Sequence, residues 1–200
     1  MVCLLLVGCG KKTIRHAEGS REGPVVVLGD SLAAGYEMPA GAGFVEVLSQ
    51  RLGVPLENLG KNGVTTTESL PRLGEEVLPL KPSLVIIQLG GNDALQKIDP
   101  KVTRENLSQM IETVQAQSIP VMLLGVRGGL MSDGFAGMYS ELASKYETAY
   151  VPDLLDGILT NPRLKHDSIH PNAEGHQALA NKVEPELRRV LKAIGKVKDS

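Results

Sequence analysis

Five short apolar runs, set apart by stretches of helical periodicity, constrain this chain more than any other feature. Three are clear, at residues 25–28 (Val-Val-Val-Leu), 83–89 and 120–126; two are weaker, at 56–59 and 149–151. A run that is apolar at every position, rather than at alternate ones, fits a parallel strand covered on both faces. Between the runs, residues 44–52, 68–78, 104–117 and 135–146 carry apolar side chains at three- and four-residue spacing. A last helix is expected from about 173 to 191, announced by Pro171-Asn172. The alternation predicts an α/β domain with a parallel sheet and helices on both faces. In such sheets ligands bind outside the carboxyl ends of the strands, at a topological switch point.

Three groups with chemical potential fall at those ends. Gly29-Asp30-Ser31-Leu32 follows the first run, where Gly29 permits a sharp turn and Asp30 or Ser31 can cap the next helix. Ser31 would then stand at a helix amino terminus, where backbone N–H groups favour negative charge. The same Asp-Ser pair also reads as an ordinary helix cap. Asn58-Leu59-Gly60-Lys61-Asn62-Gly63 follows the second run and Gly90-Gly91-Asn92-Asp93 the third. Gly63 can offer an unobstructed backbone N–H and Asn92 a side-chain N–H; with the Ser31 N–H they would form a three-donor oxyanion hole. Taken singly, each glycine also reads as a turn and Asn92 as a loop residue bonding its own backbone.

Near the other end, Asp167-Ser168-Ile169-His170 lies in the loop before the last helix. A serine hydroxyl is a weak nucleophile near neutral pH and needs a base, which in turn needs an acid to orient it. The three-residue separation lets the Asp167 carboxylate reach one imidazole nitrogen of His170 while the other faces Ser31.

These blocks, in order along residues 24–191, resemble the SGNH, or GDSL, hydrolase family: Gly29-Asp30-Ser31-Leu32, then Gly63, then Gly90-Gly91-Asn92-Asp93, then Asp167-Ser168-Ile169-His170. The resemblance implies a flavodoxin-like three-layer α/β/α fold with a five-stranded parallel sheet. It also implies Ser31 as nucleophile, His170 as base, Asp167 as its orienting acid, and Ser31, Gly63 and Asn92 as oxyanion donors. No metal or organic cofactor is implied. The wording Leu-Gly-Gly-Asn-Asp and Asp-Ser-Ile-His-Pro, with the short length, is most similar to the compact bacterial arylesterases, lysophospholipases and acyl-CoA thioesterases. Acyl esters are therefore the expected substrates, and carbohydrate O-acetyl esters, which other members hydrolyse, are the alternative.

Other readings compete for the same residues. The ordinary α/β-hydrolase fold places its nucleophile in Gly-x-Ser-x-Gly, deep in a longer chain. A zinc site from His166, Asp167, His170 and His176 has suitable ligand types but no conventional spacing. Gly90-Gly91 and Gly128-Gly129 lack the Lys-Ser/Thr continuation of a phosphate loop. Arg127 is placed to meet an anionic substrate group or to lie solvated. Met38, Leu95, Met131, Phe135 and Ile169 are candidates to line an acyl pocket, or to pack in the core. Fold alone is compatible with a non-catalytic binding protein, although such a protein has no use for nucleophile, base, acid and oxyanion donors together.

Two hundred residues suit one domain, and a formal charge of −2 carries no polyanion signature, so a nucleic-acid partner is not expected. No stretch is long enough for a membrane-spanning helix. At the amino end, Leu6-Val7-Gly8-Cys9 resembles a lipobox, the site at which bacterial lipoproteins are cleaved and acylated on cysteine. The expected organisation is a short or truncated lipoprotein signal (1–9), a polar tether (10–23), the hydrolase domain (24–194) and a tail (195–200). This predicts a monomeric envelope protein, membrane-attached through lipidated Cys9; without lipidation it would be cytoplasmic.

Overall fold

The structure, a computed structural model, describes residues 13–19, 21–126, 135 and 137–198. Five strands form one parallel sheet in the order β2-β1-β3-β4-β5, with β1 Val25–Gly29, β2 Leu56–Gly60, β3 Leu84–Gln88, β4 Val121–Leu124 and β5 Ala149–Val151. This is the predicted three-layer α/β/α arrangement. Every residue of β1, β3 and β4 is buried, which explains why their sequences run apolar rather than alternating, up to Gln88, the buried polar residue that ends β3. Strand geometry sends successive side chains to opposite faces. Val25, Val27, Leu84, Ile86, Met122 and Leu124 pack on α2 (Phe44–Leu52) and α7 (Ala173–Ala193). Val26, Leu28, Val85, Ile87, Val121 and Leu123 pack on α5 (Pro100–Gln115) and α6 (Met138–Tyr146).

Register aligns the carboxyl ends that matter: Gly29 stands opposite Gly60 on one side and Gln88 on the other. From β1 the chain passes to β2 on one side and later returns to β3 on the other, so the switch point lies between β1 and β3. The segments after β1, β2 and β3 therefore converge. Gly29 does not serve as a turn residue; a Cβ there would lie 2.4 Å from the Ala33 Cβ, so glycine is needed for α1 (Ser31–Ala34) to fold back so closely.

Several boundaries differ from the sequence expectation. The amphipathic stretch 68–78 is not one helix: α3 is confined to Thr66–Ser69, followed by wide and tight turns at Leu73–Val77 and Leu78–Leu80. Pro71 and Pro79 each lack the N–H that a continuous helix requires. Helix α5 starts four residues before the periodicity suggests, because Asp99 accepts the Lys101 N–H at 2.9 Å and Pro100 occupies the first position. α6 begins at Met138 rather than 135.

The stretch expected as a polar tether is, where described, packed on the domain. Ile14 and Ala17 are buried in the α2–α7 side of the core. The Arg15 N–H donates to the Glu147 carbonyl at 2.8 Å, and its guanidinium pairs with the Glu147 carboxylate at 2.9 Å. At the carboxyl end Ile194 is buried, and in the expected tail the Lys196 ammonium donates to the Gly23 carbonyl at 2.8 Å. Cys9 lies outside the described residues.

Candidate active site

The loop after β1 is built around Ser31. Asp30 caps α1, its carboxylate accepting the Leu32 N–H at 2.9 Å. The Asp30 N–H donates to Gln88, and so does the Ala33 N–H, while the Ala34 N–H donates to the Asp30 carbonyl. Among the described residues the Ser31 N–H has no such partner, and Ser31 lines an open cleft. Burial drives the Asp30 carboxyl up to about 6, the cost of enclosing a charge 2% exposed at the cap.

Ser31 Oγ lies 3.1 Å from His170 Nε2, and His170 Nδ1 lies 2.8 Å from Asp167 Oδ2. The other Asp167 oxygen accepts the backbone N–H groups of Ile169 and His170, both at 2.8 Å. Burial pushes the Asp167 carboxyl up, but the His170 bond and these two N–H donors outweigh it and hold the group at about 2. The loop bearing both residues closes on itself: the His166 N–H donates to the His170 carbonyl at 2.9 Å. Asn172, the cap of α7, ties it down by donating its amide to the Arg163 and Lys165 carbonyls.

Asn92 sits in the first turn of α4 (Gly91–Leu95) and lines the cleft. Its amide donates to the Val64 carbonyl at 2.9 Å, and an amide nitrogen has a second hydrogen to offer. That bond draws the loop after β2 against α4. Gly63, adjacent to Val64, adopts φ +76° and is exposed, but is not among the residues lining the cleft. Behind Asn92, the buried Asp93 accepts from the Thr66 N–H at 2.9 Å, the Thr103 hydroxyl at 3.0 Å and the Thr66 hydroxyl, joining α3, α4 and α5. Sequence reasoning passed over this anchor, although an acid next to Asn92 was visible.

The cleft is walled by Leu32, Ala94, Leu95, Val126, Leu155, Leu159 and Ile169, with Asp30, Ser31, Asn92 and His170 at its polar end. Of the candidate pocket residues, Leu95 and Ile169 line this cleft. Phe135 does not: it is 3% exposed and packs on the α5–α6 side of the core, away from the cleft. Met38 is half-buried and is not among the residues lining the cleft. Met131 and Arg127 lie outside the described residues. Leu155 and Leu159 come from an irregular segment after β5 that offered no periodic signal.

The histidines weighed as zinc ligands are dispersed. His166 pairs with Glu37 at 3.1 Å, while His176 is buried beneath the site and accepts the Phe44 N–H on Nδ1 at 3.1 Å. Burial lowers His176 to about 4, so it stands neutral. Among the described residues no three His, Cys, Asp or Glu side chains are grouped to hold a metal ion.

Comparison with known proteins finds similarity along most of the chain. The model of the GDSL-like lipase/acylhydrolase family matches residues 27–178. An arylesterase of Vibrio mimicus is 34% identical over 178 residues, covering 84% of this chain and 89% of the relative. The thioesterase 1/protease 1/lysophospholipase L1 of Escherichia coli K12 is 28% identical, covering 84% of each. The crystal structure of TesA superposes with a TM-score of 0.79 at 31% identity, covering 84% of this chain and 99% of that one.

Proposed function

The chain belongs to the GDSL-like lipase/acylhydrolase family, and on that footing we propose that it is a serine esterase acting on acyl esters and thioesters through Ser31, His170 and Asp167. The observation that carries this is the continuous Ser31–His170–Asp167 chain of contacts, 3.1 and 2.8 Å, at the polar end of an apolar cleft. Asp167 takes the Nδ1 proton of His170 as a hydrogen bond, which leaves Nε2 as the basic nitrogen facing Ser31. As Ser31 Oγ attacks the acyl carbonyl, its proton passes to Nε2 and Asp167 stabilises the imidazolium. The oxyanion is held by the Ser31 N–H, the Gly63 N–H and the remaining Asn92 amide hydrogen. His170 then protonates the departing alcohol or thiol and activates water to release the acid. The acyl chain lies along Leu95, Leu155, Leu159 and Ile169.

The test is a chain-length series of p-nitrophenyl esters run beside acetylated sugars, with Ser31→Ala as control. Each buried CH₂ adds up to about fourfold in kcat/KM, so activity rises over the first few carbons and levels when the cleft is filled. Activity confined to acetyl groups, with sugars preferred, would assign the carbohydrate esterase reading instead. No hydrolysis by folded protein would assign a binding role.

The lipobox-like Leu6-Val7-Gly8-Cys9 supports attachment to a bacterial membrane through Cys9. Protein expressed from its complete gene in its host should partition with membranes, and Cys9→Ser should release it; soluble protein with an unmodified amino terminus would refute the attachment.

A further inference from the structure

Tyr36 lies over the imidazole of His170, ring centroids 4.4 Å apart and planes inclined by 29°. Its position is set by the nucleophile. Helix α1 is a single turn that ends at Gly35, in the left-handed conformation at φ 68°. The Gly35 N–H returns to the Leu32 carbonyl at 3.4 Å and the Tyr36 N–H to the Ser31 carbonyl at 3.0 Å, the paired bonds of a Schellman cap. The backbone carbonyl of Ser31 thus anchors the residue whose ring covers the base that Ser31 needs.

Both ring nitrogens of His170 are engaged edge-on, Nε2 by Ser31 and Nδ1 by Asp167. These contacts hold the ring only through its nitrogens, and a ring stacked on its face resists the remaining tilt about the Cβ–Cγ bond. An aromatic face also carries negative potential, which favours a cation lying against it. We propose that Tyr36 is a positioning residue: its ring holds the His170 plane between Ser31 and Asp167 and stabilises the imidazolium formed during proton transfer. This rests on the Ser31–His170–Asp167 mechanism above.

The surroundings of His170 leave this role to the ring face rather than to a charge on Tyr36. Asp167 lies at its edge, the buried Asp30 lies on the nucleophile loop, and neutral His176 approaches from α7. On the outer side of Tyr36, His166 meets the ring edge-on at 6.4 Å and pairs with Glu37 at 3.1 Å. The charges of Glu37 and Asp167 raise the Tyr36 phenol, which therefore remains neutral through the working range.

The experiment compares Tyr36→Phe, Tyr36→Leu and His170→Ala in kcat, KM and the pH profile of kcat/KM on one aryl ester. Tyr36→Leu should lower kcat about tenfold with little change in KM. It should also move the acidic limb about half a pH unit lower, because an imidazolium without the aromatic face releases its proton more readily. Tyr36→Phe should match wild type in both. If Tyr36→Leu does not fold, Tyr36→Met, whose unbranched side chain adapts to an irregular space, carries the same expectations. A rate loss with an unmoved acidic limb, a Phe variant as impaired as Leu, or a Leu variant equal to wild type would each overturn the proposal. Full activity in His170→Ala would show instead that the underlying mechanism is wrong.

Discussion

Asp167 holds His170 twice: Oδ2 meets the imidazole Nδ1 and Oδ1 accepts the backbone N–H of the same residue, both at 2.8 Å. One carboxylate thereby fixes the ring and the loop that carries it. Asp167→Asn keeps the backbone acceptor but removes the charge and presents N–H groups to Nδ1, which favours the wrong tautomer. A fall in kcat of about 10²–10⁴ is expected, with a folded loop. The carboxyl sits at about 2 in the folded protein against an ordinary 3.8, so its stabilising contribution is present above 3.8 and is lost as pH falls through 2. Kinetics of the Asn variant beside an acid-unfolding curve check both; near-wild-type kcat would remove Asp167 from the mechanism.

Asp30 shows the opposite sign. Its carboxyl is raised to about 6, so the folded state is favoured below 3.8 and loses that advantage as pH rises through 6. Asp30→Asn retains a good cap without the buried charge. It should be more stable than wild type at pH 8 by up to about 3 kcal/mol, seen as a higher melting temperature, and the gap should close near pH 4. A gap of equal size at both pH values would show that charge burial is not its cause.

Asn92 joins the oxyanion proposal to a structural bond. Asn92→Ala should lower kcat by about 10²–10³ with a smaller change in KM, the pattern of a donor used in the transition state. Because the side chain also holds the Val64 carbonyl, a modest loss of thermal stability should accompany it. Raised KM at unchanged kcat would make Asn92 a substrate contact only.

Leu159 is half-buried on the cleft wall. Leu159→Trp should shorten the acyl chain at which kcat/KM levels off while leaving short esters within a few-fold of wild type. An unchanged chain-length profile would place the acyl group elsewhere.

The sheet was legible because burial on both faces leaves little freedom: β1, β3 and β4 are apolar along their length except at Gln88, where β3 reaches the site. The residues that meet at the site were legible as blocks at strand ends, which register then aligns at Gly29, Gly60 and Gln88. What periodicity could not supply lies in irregular chain. Phe135, left open between cleft and core by the sequence, is in the core, since the direction of a side chain outside a regular element has no period to read. Leu155 and Leu159 were missed for the same reason. Two local signals were present but unused: Asp99-Pro100, which starts α5, and Gly35, which stops α1 and sets Tyr36 over His170. Pro71 and Pro79, in plain view, break a stretch whose apolar spacing alone suggested one helix.

The central claim is that Ser31 Oγ becomes the covalent nucleophile. Incubation with a fluorophosphonate, followed by peptide mapping by mass spectrometry, tests it most directly. One phosphonyl group per chain, on Ser31, with parallel loss of ester hydrolysis and no labelling of folded Ser31→Ala, is the predicted result; label on another residue, or an active enzyme that retains an unmodified Ser31, would contradict it.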